Sequence, residues 1–260
     1  MLDLSAIDPL TLVLILAVLL VAGTVKGTVG LGLPTITLAV LTATIGLKEA
    51  MTVLLVPSFI TNIWQVWQGP GSVAPLWALT RRLWLFLVLL FIGSVAAGEA
   101  LTLVATDILA ALLGVSIVVY AVLGLATPPW PKPGRHEGWL GPSCGLATGV
   151  LTGMTGSFVM PSVPYLQALG LPRDQLVQAM GLTFFVATVG LGAALGGRGL
   201  IPQDLAVTST VAVVPALIGM GIGRRLRAHL SETLFRKALF AALLGVGGWI
   251  VVKSVLLANG

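Results

Sequence analysis

The sequence predicts an all-α polytopic membrane protein made of two inverted repeats, each a broken, re-entrant helix hairpin followed by three transmembrane helices. Three observations predict it. Hydrophobic residues make up 57% of the 260-residue chain and charged residues 9%, against roughly 25% charged in soluble domains. Apolar runs long enough to cross the roughly 30 Å hydrocarbon layer recur from one end to the other. One segment also occurs twice: Gly23-Thr24-Val25-Lys26-Gly27-Thr28-Val29-Gly30 returns as Gly149-Val150-Leu151-Thr152-Gly153-Met154-Thr155-Gly156, and each copy soon meets a proline, Pro34 or Pro161.

The elements follow in order. In the first repeat, residues 1–127, apolar runs predict a helix over 10–25, a break over 26–34 and a short helix over 35–46. Longer helices follow near 49–68, 84–98 and 107–127. The stretch Thr127-Pro128-Pro129-Trp130-Pro131-Lys132-Pro133-Gly134-Arg135 is too rich in proline to be helical, so residues 128–138 read as a cytoplasmic linker. The second repeat, 139–260, restates the plan: helix 139–152, break 153–161, short helix 162–170, then helices near 174–196, 204–222 and 235–257.

Residues 10–46 would make one straight helix of about 55 Å, far longer than a bilayer needs. They are either a hairpin that enters and leaves on one side or an ordinary span with a long tail. Charge counting favours the hairpin. With both broken segments re-entrant, each repeat crosses three times and the repeats are inverted. Arg81, Arg82, Lys132, Arg135, Arg173, Arg224, Arg225, Arg227, Arg236 and Lys237 then share the cytoplasmic side. Lys48, Arg198 and Lys253 fall on the other side, and Lys26 stays in the membrane. If each broken segment spans once, the loops split six against seven and no orientation signal remains. Both termini are therefore expected outside the cytoplasm. Trp64, Trp67, Trp77, Trp84, Trp130 and Trp139 flank the cytoplasmic loops as interface anchors should.

Several classes are disfavoured. The net charge of +5 comes from short loops and points to orientation, not to nucleic acid. The amino terminus lacks a basic n-region, so a cleaved signal peptide is not expected. Cys144 is the single cysteine, which leaves no intramolecular disulfide or Cys-based metal cage. His136 and His229 are placed in loops, Glu99 and Asp107 flank another, and no P-loop is present, so no metal, cofactor or ATPase site is expected.

Glycine-rich breaks flanked by proline, at matching positions in two halves, point to a transporter's substrate site. Unwound backbone survives in a bilayer only where it lines a cavity or packs in protein. The predicted substrate-binding residues are Lys26, Thr28 and Thr35 in the first repeat, Asn62 after Pro57, and Thr152, Thr155, Ser157 and Ser162 in the second. Half-helix starts near Thr35 and Ser162 present backbone N–H groups suited to an anion, and hydroxyls there, with Thr37, can donate to its oxygens. Ser and Thr also satisfy their own helix backbone in membranes, which is the competing reading. Lys26 either neutralises an anion or snorkels to an interface. Asn62, near Ser58 and Thr61, contacts substrate or bonds across to another helix. Thr183, Thr188 and Gln178 are weaker candidates. Close helix packing accounts for Gly141, Gly145, Gly149 and Gly153, and for Gly23 and Gly27.

The segments Gly23 to Pro34 and Gly145 to Pro161, each followed by Gly-Leu-Lys/Pro (Gly46-Leu47-Lys48, Gly170-Leu171-Pro172), resemble the TauE/SafE sulfite-exporter family. So does Gly219-Met220-Gly221-Ile222-Gly223-Arg224-Arg225-Leu226 followed by Leu234-Phe235-Arg236-Lys237. The resemblance covers nearly the whole chain and implies movement of small sulfur-containing anions such as sulfite, sulfoacetate or related sulfonates. The expected function is thus a secondary transporter of such an anion working by alternating access, with its site at the tips of the two broken helices. An anion channel and a non-transporting membrane scaffold are the alternatives. An enzyme is not expected. The expected partners are a small anionic substrate and the lipid bilayer, with a homodimer left open.

Overall fold

A computed structural model describes residues 8–67, 73–126, 130–226 and 231–258. Thr127 to Pro129 of the linker, Arg227, His229 and the amino-terminal Met1 to Ile7 lie outside the described residues. All regular structure among the described residues is helical: α1 (Pro9–Val29), α2 (Leu33–Ile45), α3 (Leu47–Trp67), α4 (Val73–Ala97), α5 (Ala100–Leu103), α6 (Thr106–Ala126), a 3-10 turn (Gly134–His136), α7 (Glu137–Thr155), α8 (Ser162–Ala168), α9 (Arg173–Gly196), α10 (Gln203–Val211), α11 (Val213–Leu226) and α12 (Glu232–Ala258). Seven stretches within these are long and apolar enough to cross a membrane: α1, α3, Leu76–Leu103, α6, α9, Gln203–Leu226 and Leu234–Leu256. The chain is an all-α polytopic membrane protein. Large apolar side chains such as Val13, Ile108, Val119, Trp249 and Val252 are exposed on these helices. On a protein of this composition they are the lipid-facing surface.

Five expectations need correction. The helix expected near 84–98 begins at Val73 and takes in Arg81 and Arg82, which the sequence placed in a loop. The breaks are shorter than predicted, because α1 continues to Val29 and α7 to Thr155. Lys26, Thr28, Thr152 and Thr155 therefore stand on helices and not in unwound backbone. The single helix expected over 204–222 divides at Ala212 into α10 and α11. Gly134 and Arg135, expected to be non-helical, belong to the 3-10 turn. A short helix, α5, also occupies what reads as a loop after Glu99.

Glycine inside a helix costs roughly 1 kcal/mol relative to alanine, yet Gly23, Gly27, Gly149 and Gly153 do not end theirs. Packing explains why. The helices end instead where a glycine takes the left-handed conformation: Gly30 (φ 80°) closes α1 and Gly156 (φ 74°) closes α7. Each donates its N–H to the carbonyl four residues back, Lys26 O or Thr152 O, which is the αL cap. At the other end, the Asp8 side chain accepts from Thr11 N at 3.0 Å and Pro9 opens α1.

The chain folds as two compact units. One comprises Met1–Pro57, Val104–Thr127 and Arg198–Gly260, and the other Ser58–Leu103 and Pro128–Gly197. Each unit takes helices from both repeats. In the first, α1 packs on α11 and α6 on α12. The α1–α11 contact is backbone on backbone. A Cβ at Gly23 would lie 2.2 Å from Ala216 O and one at Gly27 2.2 Å from Met220 O. In return, a Cβ at Gly219 would lie 2.1 Å from Leu20 O and one at Gly223 2.0 Å from Thr24 O. No residue but glycine fits there, and the approach brings Cα–H groups onto carbonyls.

The second unit repeats this seam. There α7 packs on α4, and Gly145, Gly149 and Gly153 are set against the carbonyls of Phe86, Leu90 and Ser94. A Cβ at each of the three would meet its carbonyl oxygen at 2.2, 2.2 and 2.3 Å. The registers match. The pairs Gly23/Ala216 and Gly27/Met220 become Gly149/Leu90 and Gly153/Ser94 when each number is shifted by the spacing of the sequence repeat. Helix α9 also packs on α4, where Gly190 faces Ser94. At the end of the α4–α7 seam, Arg82 grips Glu137 through two hydrogen bonds of 2.6 and 2.8 Å. The Arg82 hydrogen bond holds the Glu137 carboxyl below its usual range.

Candidate functional site

All eight predicted site residues are buried, Asn62, Thr152, Thr155 and Ser162 completely. Lys26, Thr28 and Thr35 lie in the first unit, the other five in the second.

Among the described residues Lys26 is the one buried basic or acidic side chain, 3% exposed. It stands in the last turn of α1, and its own carbonyl receives the capping bond from Gly30. The charge is therefore fixed to the turn immediately before the break. Past the break, Gly32 (φ 108°) opens α2, with Pro34 in the first turn. A Cβ at Gly32 would lie 2.8 Å from the Val25 side chain, so the start of α2 is pressed against the end of α1.

The hydroxyls divide sharply once their protons are followed. Each Ser or Thr has one proton to donate. Thr28 donates to Thr24 O at 2.8 Å and lies 3.2 Å from Gly223 O. Thr152 donates to Thr148 O at 2.7 Å and lies 3.3 Å from Ser157 O. Thr155 donates to Leu151 O at 2.7 Å and accepts from Ser157 N at 3.2 Å. Ser162 donates to Phe158 O. These four hydroxyls serve their own backbone, the competing reading of the sequence. Thr35 and Thr37 on α2 behave differently: among the described residues their buried hydroxyls have no hydrogen-bond partner, and the same holds for Thr42 and, in the second unit, Thr183. A buried hydroxyl left so costs about 1–3 kcal/mol, and such groups are the ones able to donate to a ligand.

Asn62 belongs to a separate cluster. Its Nδ2 donates to Ser58 Oγ at 3.1 Å and to Thr188 Oγ1 at 3.2 Å, and the two hydroxyls lie 3.2 Å apart. Asn62 and Thr188 are corresponding positions of the two repeats. Sequence reasoning singled out each of these residues without joining them. It missed the glutamine brace beside them: Gln65 Nε2 donates to Val177 O at 3.1 Å, and Gln178 Nε2 to Val66 O at 3.2 Å. It also missed Ser209. The signal was Pro57, which strips a helix carbonyl of its donor and so demands an outside partner.

A multi-helix membrane protein with repeated glycine seams, broken helices and a buried cation is, as a class, a membrane transporter. The family model described as sulfite exporter TauE/SafE matches residues 15–250. The chain belongs to the TauE/SafE sulfite exporter family, a family of membrane transporters of sulfite and related sulfur anions. No curated protein and no solved structure gave a significant match.

Proposed function

We propose that this chain is a secondary transporter that carries a small sulfur oxyanion or sulfonate across a bacterial inner membrane by alternating access of two inverted repeats. The observation that carries this reading is Lys26, a buried cation at the end of α1, followed by a break and by the unpartnered hydroxyls of Thr35 and Thr37. An ionisable residue within a span is costly and marks a substrate or ion path. A positive charge with nearby donors in sequence suits an anion whose oxygens need hydrogen bonds more than they need further charge. With a cell interior that is negative, each exported negative charge gains about 2.3 kcal/mol per 100 mV, so export runs downhill on voltage alone.

Inversion of the repeats and both termini outside the cytoplasm rest on the positive-inside count. Cysteines introduced at Lys48 and Arg173 in a Cys144→Ser background should label from opposite faces of the bilayer. Labelling from the same face would overturn the inversion. For transport, purified protein in proteoliposomes should show saturable sulfite uptake and counterflow, whereas conductance steps without counterflow would replace the carrier by a channel. Lys26→Ala should insert normally and lose most of that uptake. An unchanged half-saturation concentration in that variant would remove Lys26 from the site.

A further inference from the structure

We propose that Ser209 is a splint for α3: its hydroxyl replaces the hydrogen bond that Pro57 removes, and so holds together the helical turn that leads into Ser58 and Asn62. Pro57 lies inside α3. Having no N–H, it cannot donate to the carbonyl of Val53, and its ring crowds that carbonyl. In lipid such a carbonyl must find another partner. Ser209 of α10 supplies it, donating to Val53 O at 2.9 Å and accepting from Val56 N at 3.1 Å. One hydroxyl, on a residue 1% exposed, thus serves two backbone groups of the turn that precedes the proline.

The neighbours of Ser209 show that this is a choice of direction. Thr208 donates to Asp204 O at 2.9 Å and Thr210 to Ala206 O at 3.0 Å, each within its own helix. Between them, Ser209 sends its hydroxyl out to α3. The device is one-sided. The positions matching Pro57 and Ser209 in the other repeat are Thr183 and Leu83, and α9 runs uninterrupted past Thr183. The place is also singular. The two compact units divide between Pro57 and Ser58, and among the described residues α3 is the one helix that passes from one to the other. Ser58 follows the proline directly and Asn62 lies about one turn further along the same helix, so the splint bears on the turn that carries both. Ser209 is in this sense a positioning residue acting through α3. The splint itself stands on α3 and α10 alone, while its effect on flux rests on the proposed transport function.

A double-mutant cycle tests it on the full-length protein. P57A restores an N–H able to donate to Val53 O, which makes the Ser209 hydroxyl redundant. S209A should lower the melting temperature by about 4 °C in the native background, and at least half of that loss should disappear in the P57A background. S209T, which keeps the hydroxyl, should retain the native value. Should S209A alone fail to accumulate, adding P57A should recover folded protein. Additive losses, or no recovery, overturn the splint. In sulfite counterflow, S209A should slow exchange several-fold with the half-saturation concentration moved less than twofold. Equal changes in both would assign Ser209 to the binding site and sink the positioning role. Coupled melting temperatures in a protein that moves no sulfite would refute the transport reading and leave the splint standing.

Discussion

The two broken helices share a scaffold and differ in what they carry. Both end in a left-handed glycine that caps onto the residue four back, and both run along a partner helix through glycine–carbonyl contacts in the same register. At that capping carbonyl the first has Lys26 and the second Thr152. The first break covers three residues and leads into the thirteen-residue α2, which holds Thr35 and Thr37 without partners. The second covers six residues, leads into the seven-residue α8, and ties Thr152, Thr155 and Ser162 to its own backbone. The packing is shared by the two segments and the polar load is not. A Cβ added at Gly23, Gly27, Gly149 or Gly153 would lie 2.2 to 2.3 Å from a carbonyl oxygen, so the seams admit no side chain, whereas the polar side chains beside the two breaks differ.

Breaking the shared part should hurt most. Gly149→Val or Gly23→Val would thrust side-chain atoms into Leu90 O or Ala216 O, at a cost of about 3 kcal/mol or more. Detergent extracts of either variant should lose the monodisperse peak on size exclusion, and an intact peak would show that the seams yield. The next effect separates the two breaks. Lys26→Met should weaken sulfite binding tenfold or more, about 1.4 kcal/mol, while Thr152→Met should leave affinity in place.

Sharper still is a pair of isosteric changes. Thr35→Val removes a hydroxyl that has no protein partner, so affinity should fall severalfold and melting temperature should hold or rise. Thr152→Val removes a hydroxyl bound to Thr148 O, so stability should fall by about 1 kcal/mol with affinity unchanged. Opposite outcomes would exchange the roles of the two breaks. The smallest effect belongs to the seam's outer end. Glu137 has a depressed pKa in the folded protein, so the Arg82 pair stabilises above the unfolded carboxylate range, about 4.3, and that contribution disappears as pH drops through the lower folded value. Being largely exposed, it is worth under about 1 kcal/mol. Glu137→Gln should flatten that part of the stability–pH curve and move little else.

Much of this was legible in the sequence. The duplicated Gly-xxx-Gly-xx-Gly segment located both breaks, and apolar runs placed most spans within about three residues, since hydropathy over a whole span outweighs any single residue. The break boundaries were not legible. Gly27 and Gly153 look like helix breakers until the carbonyls of Met220 and Ser94 are seen against them, and those carbonyls belong to helices remote in sequence. The hydroxyls were misleading for the same reason: composition counts oxygens, but only geometry says which protons are already committed, and Thr28 and Thr35 look alike in the sequence. Asn62 was legible as an unusual residue and not as part of a cluster, because Thr188 joins it from another helix.

The seams also impose an order on biogenesis. When α7 leaves the ribosome its partner α4 has already been made, and Gly93 can meet Leu146 as soon as that residue emerges. Helix α1 is placed differently: Gly23 must wait for Ala216, which is synthesised only after every helix but the last two. Through most of translation α1 therefore stands without the helix that fills its glycine groove.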